Sequence, residues 1–200
     1  KSMKTKEKIL FVALEMFNAT NTQAATTNHI AKEMGISIGN LHYHYKNREE
    51  IIRMLYAQYR TEMTGEGVIR CIKQLEETHK NAMNQLWKYR FFQRELLFLL
   101  SRDPLLHDQY VQDNIAHRSR IVQSIQFMVE EDILAVPYDN VVEHLADTIL
   151  LTVQFWNPFL LTLDIEPTKE NIEKSILHTR QAMRPYLTKK AIAILGDISD

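Results

Sequence analysis

A single cysteine, Cys71, stands in the 200 residues. No intrachain disulfide can form, and no cysteine-based zinc site can be assembled. Glycine and proline are scarce, five of each, which leaves few positions to interrupt long helices. The opening KSMKTKEK lacks an apolar leader. The longest uncharged run, Thr148–Leu163, falls short of the ~20 residues of a bilayer-spanning helix and is interrupted by Thr152, Gln154 and Asn157. It predicts a buried core or interface helix. Glycine-rich phosphate loops and nucleophile-elbow glycines are missing, so an enzyme is not expected, nor a cofactor. The net charge of −1 rules out a polycation, and the cysteine usage is compatible with a reducing cytoplasm, the expected location.

What charge asymmetry exists is local. Residues 1–63 carry 9 Lys+Arg against 6 Asp+Glu, and residues 64–200 carry 15 against 19. The positive excess therefore sits with the most informative stretch, TTNHIAKEMGISIGNLHYHYKNR from Thr26 to Arg48. Thr27 is placed to cap a first short helix with Ile30, Ala31 and Met34 on its apolar side. Gly35 suits the left-handed residue that ends it. Ser37 is placed to cap a second helix running through Tyr45. Small Ala31, then Gly35, then buried Leu41 is the spacing of a helix-turn-helix. With Leu41 inward, Gly39 and Tyr43 face away from the core, Asn40, His42 and Lys46 flank them, and Ile38, His44 and Tyr45 lie nearer the inner side. Such a face offers donors to phosphates and base edges.

The segment from about Lys4 to Leu55 resembles the N-terminal domain of the TetR family of bacterial transcriptional regulators. The resemblance rests on KEKILFVALEMF, TTNHIAKEMGIS and GNLHYHYKNREEII. Where the family pattern has its first tyrosine in the second helix, this chain has His42, and the aromatic at the helix end is Tyr45 rather than Phe. Ile38 precedes Gly39, where some relatives carry a polar residue. The resemblance implies an operator-binding homodimer: Thr27, Ser37, His44 and Arg48 on phosphates, and Gly39, Asn40, His42 and Tyr43 approaching base edges, with Ile38 and Lys46 alongside. Asn40 has the chemistry to pair with adenine.

The rest of the chain reads as helical. Helix one is expected over Thr5–Asn18, with Ile9, Leu10, Ala13 and Phe17 inward. Its Lys4, Lys6 and Lys8 lie either near a phosphate backbone or in solvent. Asn47 is placed to cap a fourth helix that ends near Gly65 and Gly67. Further helices are expected over 66–90, with a break near Thr78 and with Val68, Ile72 and Leu75 inward. Others are expected over 91–100, over 104–134, over 140–163 with an interruption or kink at Pro158, over 168–186 behind a Thr168 cap, and over 189–195. The fold class is thus all-α: a helix-turn-helix DNA-binding domain in 1–60 and a larger helical effector-binding and dimerisation domain in 61–200.

In that larger part, aromatic residues exceed what one narrow stripe requires. Each alone is accounted for by a filled core. By the resemblance, Trp87, Arg90, Phe91, Arg94, Phe127, Gln154, Phe155 and Phe159 are candidates for an apolar effector pocket with a few polar anchors. Ile149, Val153, Trp156, Leu160, Ile176 and Met183, on the last two long helices, are candidates for burial against a second copy. His144 and Asp147 lie on one helical face as a possible metal pair, but lack a third ligand at a defined spacing; no metal is expected. The function expected is a ligand-responsive repressor released from a palindromic operator by a small, mostly apolar effector. A constitutive or architectural DNA-binding protein and a helical protein-interaction module stay open.

Overall fold

The fold is described from a computed structural model covering residues 3–63, 67–69 and 72–195. Gly65 and Cys71, and the side chains of Ile72 and Leu75, lie outside the described residues. Ten α-helices and no strand ladders occur among those described: α1 Thr5–Ala19, α2 Thr27–Glu33, α3 Ile38–His44, α4 Arg48–Met63, α5 Ile72–Lys88, α6 Arg90–Arg102, α7 Pro104–Glu130, α8 Asn140–Thr162, α9 Lys169–Met183 and α10 Lys189–Leu195. None is long and apolar enough to cross a membrane.

The chain packs into two compact units. The first comprises residues 1–63 and 88–107, the second 64–87 and 108–200. By packing, α6 therefore goes with the first four helices, although the sequence reading grouped it with everything after residue 60. In this first unit Ile9, Leu10, Ala13, Leu14 and Phe17 of α1, Ile51, Ile52 and Leu55 of α4, and Phe91, Phe92, Leu96 and Leu99 of α6 are buried. Each large apolar side chain so buried contributes roughly 1.5–3 kcal/mol. Aromatic rings fill the space between α4 and α6, with Tyr56 stacked on Phe92 at 5.0 Å and 19°. Phe17 meets Phe91 at 5.4 Å.

Side chains of α6 also hold the end of α1 and the loop after it. Arg94 donates to the carbonyls of Phe17 (2.7 Å) and Asn18 (3.4 Å), which the helix end leaves without intrahelical partners. The buried Asn18 amide donates to Lys88 O at 2.9 Å and accepts from Phe91 N at 3.1 Å. Glu95 accepts from the Thr22 amide and hydroxyl.

In the second unit Ile125, Met128, Leu134, Val142, Leu145, Ala146 and Met183 form one apolar cluster. Two helices end on left-handed aspartates, Asp132 (φ 56°) after α7 and Asp164 (φ 55°) after α8. In each case the next residue's N–H returns to the carbonyl five residues back: Ile133 to Met128 at 2.8 Å and Ile165 to Leu160 at 3.0 Å. This is the Schellman closure, with Asp in the place usually taken by Gly. α5 is continuous past Thr78, and α8 runs on through Pro158. Thr168 caps α9 by accepting from Asn171 N at 3.2 Å. That helix stops at Met183, and Arg184–Tyr186 tightens to a 3-10 turn around Pro185.

Candidate nucleic-acid interface

Two local devices set α3. The first ends α2. Gly35 has φ +66°, its N–H donates to Lys32 O at 3.1 Å, and Ile36 N–H donates to Ala31 O at 3.0 Å. A Cβ on Gly35 would meet nothing within 4 Å, so the backbone angle and not space requires glycine here. The second starts α3: Ser37 Oγ accepts from Asn40 N at 3.1 Å. The cap of α2 is Thr26, whose hydroxyl faces His29 N at 3.4 Å. Thr27, expected to be that cap, is instead the first helical residue and half-buried.

The far end of α3 is tied to α1. Tyr45 is buried, its hydroxyl donates to Lys6 O at 3.3 Å, and Lys6 Nζ sits 5.4 Å from the ring centroid. Burial, and secondarily the Glu50 carboxylate, push the phenol up to about 12. Asn47 Oδ1 then caps α4 by accepting from Glu50 N at 2.9 Å, while Glu50 accepts from Lys46 N at 2.7 Å.

Between these fixed ends, α3 buries Leu41 and presents the rest of its length to solvent. Gly39, Asn40 and His42 are exposed, Tyr43 is 86% exposed, Ile38 is 38% exposed, and His44 is half-buried with its ring edge-on to Tyr43 at 5.2 Å. A Cβ on Gly39 would meet only Ser37 Oγ at 3.9 Å. Packing within the chain therefore does not require glycine at that position. Lys46 is exposed just beyond the helix.

Arg48, expected on a phosphate, has partners within the chain in this structure. Its guanidinium turns to Thr22 O at 2.8 Å and lies 3.4 Å from Glu49. The partner is a carbonyl of the α1–α2 loop, 26 residues away, which helical periodicity does not reveal. Of the residues missed by the sequence reading, Thr22 and Glu95 share this character, being 73 residues apart, whereas Thr26 acts on His29 three residues on. Only Thr26 had a local signal, as a threonine three residues before a side chain able to reach back.

The expected effector residues do not fall in one unit. Arg90, Phe91 and Arg94 belong to the first, where Phe91 is core and Arg94 closes α1. Trp87, Phe127, Gln154, Phe155 and Phe159 belong to the second. Phe127, Gln154 and Phe155 are half-buried, and the Gln154 amide donates to Asn114. Of the expected dimer residues, Leu160, Ile176 and Met183 are buried within their own chain and offer a partner almost no surface. Ile149 packs against the apolar cluster. Trp156 donates to Asn171 O at 2.6 Å and faces His178 at 4.6 Å, and Val153 is half-buried. The exposed apolar residues of α8 and α9 are Leu151, Phe159, Leu161 and Leu177. Asp147, half of the possible metal pair, is held by Arg118 at 2.6 and 3.1 Å, and this pairing lowers its carboxyl below the usual range.

A glycine-turned pair of short helices, the second presenting a polar face free of carboxylates, on an all-α chain with a further helical unit, defines a helix-turn-helix DNA-binding regulator. Residues 9–55 match the family described as "Bacterial regulatory proteins, tetR family", and residues 54–195 match TetR, described as "Bacterial transcriptional repressor". The chain belongs to the TetR family, whose members are non-enzymatic regulators that bind operator DNA and dimerise. A TetR-family transcriptional regulator from Marinobacter aquaeolei VT8 is 26% identical, with a TM-score of 0.85 over 99% of this chain and 100% of that one. SmeT, the repressor of the Stenotrophomonas maltophilia multidrug efflux pump SmeDEF, shares the fold at 14% identity and TM-score 0.66 over 99% and 97%. So does a SmeT–triclosan complex, at 14% and 0.63 over 94% and 93%.

Proposed function

We propose that the protein is a repressor that grips a roughly palindromic operator as a twofold dimer, each α3 in a major groove, and is released by a small, mostly apolar effector. The observation that carries the DNA part is the outer face of α3: Gly39, Asn40, His42 and Tyr43 exposed between ends fixed by Ser37 and Tyr45. A rigid short rod with a bare glycine and an extended phenol suits close approach to base edges. Thr27, Ser37, His44 and Lys46 are assigned to phosphates, with Ile38 at the rim. In this conformation Arg48 serves the loop instead.

Residues 1–60 read DNA in this proposal, with α6 packed to them, and 61–200 supply the effector site and the dimer contact. The exposed Leu151, Phe159, Leu161 and Leu177 support burial against a second copy. Half-buried Phe155, next in sequence to Gln154 with its Asn114 partner, suits an apolar ligand with one polar anchor, and half-buried Phe127 is a further apolar candidate farther along α7. The complex of SmeT with triclosan shows that a protein of this fold takes a small molecule. Release requires that the effector bind the free form better than the DNA-bound form. The role places the protein in the cytoplasm, beside its operator.

A gel shift on the upstream region of its own gene tests the DNA part. Replacing Tyr43 and His44 together by alanine is expected to weaken binding by at least ~10-fold, the loss of one good base or phosphate contact. Unchanged affinity, or affinity indifferent to salt, overturns the assignment. Titration of apolar ligands against the preformed complex tests the effector part; binders that never alter operator affinity overturn it.

A further inference from the structure

The first unit contains a cavity of about 540 Å³ that the DNA-reading role does not use. That volume is in the range of small-molecule sites. It lies where the α1–α2 loop, the first turn of α4, the end of α6 and the start of α7 meet. Ile52, Phe98, Leu99 and Leu106 give it an apolar wall, and Arg48, Glu49, Arg102 and Asp103 bring charge to it.

The charges do not cancel. Asp103 is fully engaged: one carboxylate oxygen accepts from Leu105 N and Leu106 N, capping α7, and the other accepts from Arg53 at 2.6 Å. Arg102 has no carboxylate partner among the described residues, and its guanidinium lies over the Phe98 ring at 5.6 Å. Arg48 is incompletely satisfied. Its Nε–H is buried with no acceptor, and its contact to Glu49 is a long 3.4 Å. Two cations against one loosely held carboxylate leave the cavity with excess positive charge beside an apolar wall.

We propose that this cavity is a binding site for an organic carboxylate with an apolar body. The carboxylate lies between Arg102 and Arg48, displacing the weak Glu49 contact, and the body rests on Phe98, Leu99 and Ile52. Guanidinium groups match a carboxylate in a planar, two-pronged geometry, whereas an inorganic anion would leave the apolar wall uncovered. The site lies in the unit that carries the reading helix and is separate from the effector region assigned above, so it stands or falls independently of that region.

Calorimetric titration of the full chain with 4-phenylbutyrate, 4-phenylbutanol and inorganic phosphate tests it. The expected result is binding of 4-phenylbutyrate that weakens about 5–10-fold in Arg102→Gln and is partly retained in Arg102→Lys. The alcohol and inorganic phosphate bind at least ~10-fold more weakly than 4-phenylbutyrate, since each lacks one of the two features. Arg102 is exposed, and unchanged circular dichroism and melting of both variants establish that they fold. No binding of 4-phenylbutyrate overturns the proposal. So does binding that Arg102→Gln leaves unchanged, which would place the ligand in the second unit. Equal binding of alcohol or phosphate also overturns it.

Discussion

Glu95 of α6 accepts from both the amide and the hydroxyl of Thr22, at 3.1 and 2.5 Å, across 73 residues of sequence. Thr22 is 1% exposed, so its amide relies on the carboxylate as acceptor. Glu95→Ala is expected to destabilise the protein by about 2–3 kcal/mol, since hydrogen bonds to a charged group go and a buried N–H is left unmet. Glu95→Gln, which keeps an acceptor, is expected to cost about 1 kcal/mol. Urea unfolding of the two variants measures the difference, and equal values would show the carboxylate to be dispensable.

Gly35 and Gly39 are expected to respond oppositely to alanine. At Gly35 the positive φ makes Gly35→Ala unfavourable by about 1–2 kcal/mol. At Gly39 the angle is helical and the space open, so Gly39→Ala should raise stability by up to about 1 kcal/mol. The same methyl lies on the face assigned to DNA, and operator affinity should fall. A Gly39→Ala protein that melts higher and binds as well as the parent would remove Gly39 from the interface.

His117 gives the fold a pH dependence. Burial, and secondarily nearby Arg120, lower its pKa from 6.5 to about 4. The folded state therefore favours the neutral ring, and the unfolded chain takes up the proton first. Stability from this group is complete above pH 6.5, declines as the pH falls, and is gone below about 4, amounting to no more than about 3 kcal/mol. His117→Gln should flatten the melting temperature across that window; a slope that persists unaltered would assign it to other groups.

Leu151 and Leu177 are 62% and 40% exposed on α8 and α9. Carboxylates there should leave the single chain folded and raise the dimer dissociation constant by at least ~10-fold, because each would be buried against its own copy without a partner. Sedimentation of Leu151→Glu and Leu177→Glu reads this directly. A dimer as tight as the parent would move the interface elsewhere.

Much of the helix-turn-helix was legible because its determinants are local. Ala31, Gly35 and Leu41 act within a dozen residues, and the caps Ser37, Asn47 and Thr168 act within three. Thr26 and Thr27 are chemically identical neighbours, and only the residue three further on, His29 against Ile30, distinguishes them as caps. The inward turn of Arg48 depends on a carbonyl supplied by a distant loop. In α8 the apolar residues run nearly all round, and in α9 Ile176 and Leu177 are adjacent in sequence. Periodicity therefore could not say that Leu160, Ile176 and Met183 face inward while Leu151 and Leu177 face out.

The closure of α1 by α6 bears on how the reading head can be handled. Cutting the chain after Met63 removes Arg94, Glu95 and Phe91 in one stroke. Asn18 then loses both partners of its side-chain amide, and Phe17 loses the ring it leans on. Such a fragment carries every side chain assigned to DNA and lacks the brace that keeps them aligned, so it is expected to be a poor portable reader.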